Sequence, residues 1–342
     1  PAKGALMDVV VCAKPGELTL EQRPKPERGE GEVLVRIRRI GVCGTDMHIY
    51  CGNQPFLTYP RVMGHELSGE VEEAPPGSAL TPGDPVYIIP YIACGSCVAC
   101  RKGKENCCCN IGVLGVHRDG GLAEYLNVPE RFVKKAQGIT LDQAAMIEFL
   151  AIGAHAVRRG SPSKGDKVLV VGAGPIGIAV ALFAKLRGAD VTAIDGREDR
   201  LAFCRDKIGV DATFAVGPTT REELSLRTGG DFFDLVFDAT GNPKAMEAGF
   251  AYVAHGGTYV LVSIVPADIT FSDPEFHKRE TTLMGSRNAT AEDFELVAQA
   301  MRDGLVPTDA LHTHSAALAD LPEAFPGWIE PSAGVIKAIV AC

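Results

Sequence analysis

The 342-residue sequence predicts an α/β protein in which a mainly β region precedes a doubly wound parallel sheet. Residues 5–40 contain short strand-like segments separated by turns rich in Pro, Gly and Glu, and further strand and turn segments follow up to Asn127, a pattern typical of all-β structure. From Lys167 onward, apolar strands alternate with helical segments, which indicates a parallel sheet covered by helices. The length fits about two domains, each with its own core.

Composition excludes several classes of function. The formal net charge of −9 disfavours a general binder of nucleic acid or anionic membranes, since both need a basic face. No apolar run reaches the roughly 18 residues that a membrane span requires. The segment Pro1–Lys14 lacks the basic-then-apolar pattern of a signal peptide. We therefore expect a cytoplasmic protein whose eleven cysteines stay reduced and, where clustered, bind metal.

The first candidate site follows a predicted strand at Glu32–Ile40. It contains Cys43-Gly-Thr-Asp-Met-His48 and, further on, Gly64-His65-Glu66. A thiolate from Cys43 and an imidazole from His65 are ligands that Zn²⁺ takes, and a catalytic zinc needs three protein ligands and one open position. Glu66 or a carboxylate from elsewhere is the candidate for the third ligand. The alternative is a Cys–His pair buried in the core without metal.

A second cysteine cluster follows strands predicted at Leu67–Glu73 and after the turn at Pro82–Asp84. Its spacing is Cys-x2-Cys-x2-Cys, with three further cysteines seven residues on, so four thiolates are able to surround one tetrahedral ion. The spacing leaves the fourth ligand open among three neighbours. Such a closed site is structural, and the alternative is a disulfide or an incidental cluster. The cysteines are Cys94, Cys97, Cys100 and one of Cys107, Cys108 and Cys109.

A helix is predicted at Leu141–Arg159, ended by Gly160-Ser-Pro162. It carries Glu148 inside the apolar run Ala-Ala-Met-Ile-Glu-Phe-Leu-Ala-Ile. A carboxylate is costly to bury unless it is paired or bound to a cation, so Glu148 is a further candidate ligand. The alternative is that it faces water at a helix bend.

The third motif is Gly172-Ala-Gly174-Pro175-Ile176-Gly177, between an apolar strand and an apolar helix. Glycines at this spacing allow a tight turn and a close approach of pyrophosphate to the helix N-terminus, whose free N–H groups favour anions. The next strand ends at Asp195, whose carboxylate would accept the adenosine-ribose hydroxyls and repel a 2′-phosphate. The motif therefore predicts a dinucleotide site that prefers NAD over NADP.

The remaining sequence predicts further strand and helix units. The predicted strands are Ala212–Val216, Phe233–Asp238, Gly257–Ile264 and Thr282–Arg287, and the predicted helices are Arg221–Leu226, Pro243–Ala254 and Ala291–Asp303. The tail is predicted to return to short strands, ending at Gly334–Val340.

Together these motifs resemble the zinc-dependent medium-chain dehydrogenases of the alcohol dehydrogenase superfamily, over essentially the whole chain. The resemblance implies a GroES-like zinc catalytic domain at 1–152 plus 288–342 and a Rossmann NAD-binding domain at 153–287, with the active-site cleft between them. It also selects Cys108 as the fourth ligand of the structural zinc lobe.

Within that family the sequence looks most like the polyol and sugar-acid branch. The branch implies a catalytic zinc held by Cys43, His65, Glu66 and Glu148, directly or through water, and a proton path through Thr45 and His48. It usually has Glu-Pro where this chain has Glu148-Phe149. Further cofactor-binding residues implied by the resemblance are Arg200, Val262, Ser263, Ile264, Ser286 and Arg287.

The resemblance thus predicts a zinc-dependent NAD oxidoreductase with two zinc ions per chain. It would oxidise a secondary alcohol of a polyol or sugar acid, such as a sorbitol-, galactonate- or idonate-like substrate, to the ketone. Loops such as Gly52–Tyr59 would contribute pocket walls, and pairing through Thr282–Arg287 would give a homodimer or homotetramer. The alternatives are an L-threonine 3-dehydrogenase or simple alcohol dehydrogenase, a zinc-free reductase on the same fold, and a non-enzymatic, crystallin-like NAD-binding protein.

Overall fold

The computed structural model describes residues 5–54 and 57–342. The first four residues of Pro1–Lys14 and two residues of the predicted pocket-wall loop Gly52–Tyr59 lie outside the described residues. Among the residues that are described, no helix is long and apolar enough to cross a membrane.

The strands and helices of the described chain are numbered in chain order. The strands are β1 (Leu6–Lys14), β2 (Glu17–Pro24), β3 (Glu32–Val42), β4 (Glu66–Glu73), β5 (Pro85–Ile88), β6 (Tyr91–Ile92), β7 (Gly112–Val113), β8 (Tyr125–Pro129), β9 (Val133–Lys135), β10 (Lys167–Val171), β11 (Asp190–Asp195), β12 (Ala212–Ala215), β13 (Phe233–Asp238), β14 (Val253–Leu261), β15 (Thr282–Gly285), β16 (His312–Ala317) and β17 (Lys337–Ala341). The helices are α1 (Gly44–Tyr50), α2 (Val98–Arg101), α3 (Leu141–Ala144), α4 (Ile147–Gly160), α5 (Pro175–Leu186), α6 (Glu198–Phe203), α7 (Thr220–Arg227), α8 (Pro243–Gly249), α9 (Asp273–Arg279), α10 (Ala291–Arg302), α11 (Thr308–Leu311) and α12 (Leu321–Ile329).

The chain divides into two compact units. One comprises the described residues up to Glu148 together with Thr290–Cys342, and the other is Phe149–Ala289. The predicted domains are 1–152 plus 288–342 and 153–287. The first segment of the compact unit ends four residues earlier than in that prediction, and its second segment begins two residues later.

The Phe149–Ala289 unit contains a six-stranded sheet in the order β12-β11-β10-β13-β14-β15. All its neighbouring strands pair in parallel. Numbered within the unit, this is the order 3-2-1-4-5-6 of dinucleotide-binding sheets. Strands β10 and β13 at the centre of the sheet are largely buried, as expected for parallel strands that are covered on both faces, and Leu169, Val236 and Tyr259 are fully buried in this core. The predicted α/β fold class is confirmed.

The other unit is organised around β3, which pairs antiparallel with β4, β8 and β17. Strand order in this sheet is β16-β17-β3-β4-β5-β9. Because β3 and β4 run in opposite directions, the end of β3 lies beside the start of β4, with Gly41 paired to Glu66. The C-terminal strand β17 lies on the other side of β3, with Ala338 paired to Val42.

The single helix predicted at Leu141–Arg159 is wrong, since the structure has α3 and α4 with a break between them. The Met146 amide donates to the Gln143 carbonyl at 2.9 Å, an i to i−3 bond of the 3₁₀ type. Ala145 and Met146 at the break are fully buried, so packing holds the chain in this non-helical turn. The break begins a new helix whose first turn carries Glu148.

Other boundaries also differ from the predictions. The helix predicted to reach Ala254 ends at Gly249, where a Cβ would lie 2.1 Å from the Tyr259 hydroxyl, and β14 already begins at Val253. The predicted strands Gly257–Ile264 and Thr282–Arg287 end earlier, at Leu261 and Gly285.

Helices α9 and α12 are not predicted by the sequence. Helix α12 contains Pro326 and Gly327, residues with poor helix propensity, but buries Leu321, Phe325 and Trp328 along one face. That spacing of i, i+4 and i+7 packs one apolar face, which overrides the local propensity. Helix α9 has no buried residue and so lacks the apolar face that would announce it.

Candidate functional site

Cys43 and His65 meet at the point where β3 ends and β4 begins. Cys43 follows β3 and is the N-cap of α1, where its thiol accepts a bond from the Thr45 amide at 3.2 Å. His65 immediately precedes β4, and its Nε2 lies 3.0 Å from the Cys43 sulfur. The antiparallel pairing therefore brings together the two predicted zinc ligands, which are 22 residues apart in sequence.

Asp46 is a residue of this site that sequence reasoning missed. Its carboxylate accepts the Cys43 amide at 3.0 Å and the Gly64 amide at 3.3 Å, so it joins the two ligand loops. The same side chain is 1% exposed and lies 3.7 Å from Nδ1 of His65. A carboxylate behind a histidine commonly orients the ring toward a metal. The sequence feature that could have identified Asp46 is its position three residues after the candidate ligand Cys43, in the first turn of a helix.

His65 belongs to two overlapping groups of candidate metal ligands. Ligand atoms of Cys43, Asp46 and His65 all lie within 4.8 Å of one another, and so do those of His65, Glu66 and Glu148. His65, Glu66 and Glu148 are all buried. The structure thus brings Cys43 to His65 on one side, and Glu66 and Glu148 to His65 on the other.

Glu66 is paired with a buried lysine that sequence reasoning also missed. Nζ of Lys337 donates to both oxygens of Glu66, at 2.6 and 2.7 Å, and lies 3.2 Å from the carbonyl of Val42. Both side chains are fully buried. Burial raises the pKa of Glu66 to about 7, and the ammonium of Lys337 opposes that rise. Gly41 makes room for this pair, because a Cβ there would lie 2.1 Å from an oxygen of Glu66.

Glu148 is held by Tyr91. The Tyr91 hydroxyl donates to Oε1 of Glu148, and burial, followed by the charge of Glu148, raises the pKa of Tyr91 well above its usual value. Glu148 is only 4% exposed, so the alternative that it faces water is wrong. Phe149, where the branch usually has proline, is accommodated in the first turn of α4.

These residues fit a zinc ion. Thiolate, imidazole and carboxylate are the ligand types that Zn²⁺ takes. Glu66 and Glu148 are both buried, but Lys337 pairs with Glu66 and Glu148 is bonded to the neutral hydroxyl of Tyr91. A buried charge without a partner of opposite sign is costly, so the group favours a further cation. Against the opposing effect of burial, Cys43 and then Asp46 raise the pKa of His65 well above its usual value, which indicates a strongly cation-favouring environment.

Thr45 and His48, the predicted proton path, lie on α1 three residues apart. Side chains at this spacing lie on the same face of a helix. Thr45, two residues after Cys43, is half-buried, and His48 is exposed.

The second cysteine cluster forms a closed set of four sulfurs. Sulfur atoms of Cys94, Cys97, Cys100 and Cys108 all lie within 4.8 Å of one another. Four thiolates around one zinc are about 3.8 Å apart when each Zn–S bond is 2.3 Å, so the set fits a tetrahedral ion. The structure groups Cys108, which is buried, with the other three, whereas the neighbouring Cys107 is exposed.

Backbone amides support negative charge in this cluster. Bonds from the Ser96 backbone lower the pKa of the Cys94 thiol to about 5, and bonds from the Cys100 backbone lower that of Cys97 to about 7. Desolvation raises the pKa of Cys100 to about 12, a cost that a coordinated cation would remove.

Replacing Cys108 with Ser is expected to remove one zinc per chain and to lower the melting temperature, because the closed site loses a ligand. Metal content by atomic emission and thermal unfolding measure both effects. Cys107→Ser is the matched control and should keep the full metal content, since Cys107 is exposed beside the cluster. Equal zinc loss in both variants would contradict the assignment of Cys108.

Asp46→Ala is expected to weaken zinc binding at the first site about 10- to 100-fold, the usual effect of losing a carboxylate behind a ligand histidine. Competition with a chromophoric chelator measures the affinity. Glu70→Gln on β4 is the control, because Glu70 pairs with Arg38 away from the ligands. An unchanged affinity in Asp46→Ala would show that Asp46 does not orient His65.

The glycine motif lies at the carboxyl end of β10 and opens α5. Gly172 adopts a positive φ of 93° and lies against Ala239, and Gly174 is the extended N-cap of α5 with Pro175 in its first turn. Gly177 packs so closely that a Cβ would lie 1.7 Å from the carbonyl oxygen of Gly172. The loop thus exposes the free N–H groups of a 12-residue helix, a site for a phosphate anion.

Asp195 ends β11 beside this loop. Its Oδ2 accepts the Ala173 amide at 2.7 Å and its Oδ1 accepts the Arg197 amide at 2.8 Å. Arg200 follows in α6 and is 8% exposed, and burial lowers its pKa. The predicted acid is therefore fixed directly beside the phosphate-binding loop, where a ribose would lie.

The other predicted cofactor residues follow the next strands of the same sheet. Val262, Ser263 and Ile264 come directly after β14, and Ile264 is 81% exposed. The Ser286 amide donates to the Leu261 carbonyl at 2.9 Å, which places Ser286 at the same edge of the sheet. Arg287 is exposed after β15.

Two family models match the chain. The alcohol dehydrogenase GroES-like domain matches residues 29–138, and the zinc-binding dehydrogenase model matches residues 175–303. The first covers the thiol, imidazole and cysteine-cluster sites, and the second covers the sheet that follows the glycine motif.

Several known proteins are similar over nearly the full length. L-galactonate-5-dehydrogenase of Escherichia coli is 43% identical over 98% of both chains. L-threonine 3-dehydrogenase of Pyrococcus horikoshii is 33% identical over 90% of this chain and 91% of its own. Among solved structures, the alcohol dehydrogenase RspB of E. coli, complexed with NADH, aligns with a TM-score of 0.93 at 29% identity, covering 99% of this chain and 100% of its own.

Proposed function

The chain belongs to the zinc-binding, alcohol dehydrogenase-like family, and on that premise we propose that it oxidises a secondary alcohol of a sugar acid to the ketone with NAD. The proposed substrate is L-galactonate or a close stereochemical relative. The observation that carries the proposal is the 43% identity to L-galactonate-5-dehydrogenase across 98% of both chains.

The metal site supports this chemistry. Zinc, when bound by Cys43, His65 and the nearby carboxylates, supplies a Lewis acid that polarises a hydroxyl oxygen. Asp46 orients His65, and Lys337 and Tyr91 fix the carboxylates of Glu66 and Glu148. Oxidation transfers a hydride from the carbinol carbon to the nicotinamide. It also removes one proton from the hydroxyl group.

We assign the proton to a path along α1. Thr45 is half-buried and its amide donates to the Cys43 sulfur, and the exposed His48 lies on the same helix face. Thr45 would take the proton from the substrate hydroxyl, and His48 would exchange it with solvent, which is a common role for histidine.

The proposed cofactor is NAD rather than NADP. The carboxylate of Asp195, fixed beside the phosphate-binding loop, favours ribose hydroxyls and disfavours a 2′-phosphate. The similarity to RspB, which is described with NADH, agrees with this preference. We further propose two zinc ions per chain, one at Cys43 and His65 and one at the four-cysteine cluster.

The L-threonine dehydrogenases are the second candidate, because a relative at 33% identity carries that activity. A zinc-free reductase is not supported, since the matching family is zinc-binding. In addition, a thiol, an imidazole and carboxylates, which are zinc-ligand types, lie close together around His65. A non-enzymatic role is not supported either, because the similar proteins are dehydrogenases.

The deciding experiment follows NADH formation with L-galactonate, its stereoisomers, sorbitol, L-threonine and a simple secondary alcohol. We expect the highest kcat/KM with a sugar acid, by at least about tenfold, since one missing polar partner changes transition-state binding by that much or more. A higher kcat/KM for L-threonine would replace the proposal with the second candidate.

We also propose a cytoplasmic homo-oligomer. None of the eleven cysteines, all of which the structure describes, forms a disulfide, as reducing compartments favour. Strand β15 is the edge of its sheet and exposes Thr282 and Leu283, so its backbone is available to a second copy. Light scattering and sedimentation would give the number of subunits.

A further inference from the structure

Asp238 is a buried acid at the carboxyl end of β13. It is fully buried, yet lies outside the glycine motif and outside both metal sites. Its Oδ2 has no hydrogen-bond partner among the described residues. Burial is the main cause of a raised pKa at this carboxyl. A buried acid of this kind is costly to keep, which indicates a function beyond packing.

The other oxygen of Asp238 joins two loops. Oδ1 accepts the Thr240 amide at 3.0 Å, the Thr240 hydroxyl at 2.9 Å and the Ser263 hydroxyl at 3.2 Å. The Ser263 hydroxyl oxygen in turn accepts the Gly241 amide at 3.0 Å. We call these contacts among Asp238, Thr240, Gly241 and Ser263 the Asp238 bridge. It ties the loop after β13 to the loop after β14.

The bridge also contacts the phosphate-binding loop. A Cβ on Gly172 would lie 3.1 Å from Ala239 and from the Thr240 methyl group, and the Ala239 amide donates to the Val171 carbonyl at 2.9 Å. The Asp238 side chain therefore joins the loops after β13 and β14, and Ala239 and Thr240 place the first of these loops against the end of β10.

The position of the bridge indicates which half of the cofactor it serves. A dinucleotide lies across the carboxyl ends of such a sheet, with its pyrophosphate at the first helix. Asp195 marks the adenosine side at β11, and the sheet order places β13 and β14 on the opposite side of β10. The nicotinamide half must then extend over the loops that Asp238 joins.

We propose that Asp238 is a positioning residue for the nicotinamide half of the cofactor, acting through Thr240 and Ser263. This inference rests on the proposed NAD-dependent function. It assigns no contact between Asp238 and the cofactor, since the carboxylate is buried behind the two loops. Its role is to set the shape of the loops before the nicotinamide binds.

The test compares NADH with ADP-ribose, which has the adenosine, the pyrophosphate and the second ribose but no nicotinamide. In Asp238→Ala, which removes the acceptor of all three bonds, and in Ser263→Ala we expect about tenfold weaker NADH binding, the usual effect of losing a hydrogen bond to a charged group. ADP-ribose binding should stay within about twofold of the native chain. Calorimetry on the zinc-loaded protein measures both, and circular dichroism checks the fold.

Asp195→Asn is the matched control. Asp195 lies on the adenosine side, so its substitution should weaken the binding of NADH and of ADP-ribose together. Ser263→Ala keeps the test decisive if Asp238→Ala does not fold. Equal weakening of the two ligands in Ser263→Ala, or no change of either, would overturn the role of the bridge. Failure of the native chain to bind ADP-ribose at all would instead overturn the proposed cofactor site.

Discussion

Replacing Cys43 with Ser is expected to lower kcat about a thousandfold, because a Lewis-acid metal is worth several kcal/mol and each 1.36 kcal/mol is a factor of ten in rate. A serine hydroxyl is a far poorer zinc ligand than a thiolate, so His65 and the nearby carboxylates should hold the ion much more weakly. Metal analysis should show the loss of one zinc per chain, with the four-cysteine cluster still loaded.

NADH binding separates this effect from unfolding. The residues assigned to the cofactor all lie in the Phe149–Ala289 unit, whereas Cys43 lies in the other, so the dissociation constant for NADH should change less than about twofold. Cys51→Ser is the matched control, since Cys51 is an exposed thiol at the other end of α1. A Cys43→Ser enzyme that kept both zinc ions and full turnover would exclude Cys43 as a ligand.

The local motifs could be predicted from the sequence because the spacing of their residues determines how their functional groups are arranged. A two-residue gap between cysteines and a glycine motif after a strand each determine their own geometry within a few residues. The long-range partners were not readable in this way. Lys337 reaches Glu66 across 271 residues, and only the pairing of β3 with both β4 and β17 brings them together.

A signal for Lys337 was nevertheless present. It is a charge inside the apolar run Val335-Ile-Lys-Ala-Ile-Val340, the same pattern that drew attention to Glu148. A buried charge requires a partner of opposite sign, so Lys337 predicts a buried acidic partner and Glu148 predicts a buried cation. Neither pattern shows where in the sequence that partner lies. Tyr91 had no such signal, since a tyrosine beside a short strand is ordinary. The helix break at Ala145 and Met146 likewise depends on packing that local propensity does not encode.

Replacing Lys337 with Met is expected to lower the free energy of unfolding by about 3–5 kcal/mol, the cost of leaving one member of a buried ion pair without its partner. Both oxygens of Glu66 would lose their donor at a fully buried position. Chemical denaturation of the zinc-loaded protein measures the change. Lys135→Met, which breaks a partly exposed pair with Asp84 at 2.9 Å, is the control and should cost less than about 1 kcal/mol.

The double variant Glu66→Gln with Lys337→Met distinguishes a structural role from a role at the metal. Removing both charges leaves no uncompensated ion, so most of the lost stability should return. Turnover should stay as low as in Glu66→Gln alone, because the carboxylate beside His65 is still missing. Recovery of turnover along with stability would mean that Glu66 only balances Lys337. A single Lys337→Met variant as stable as the control would mean that the pair adds no net stability to the fold.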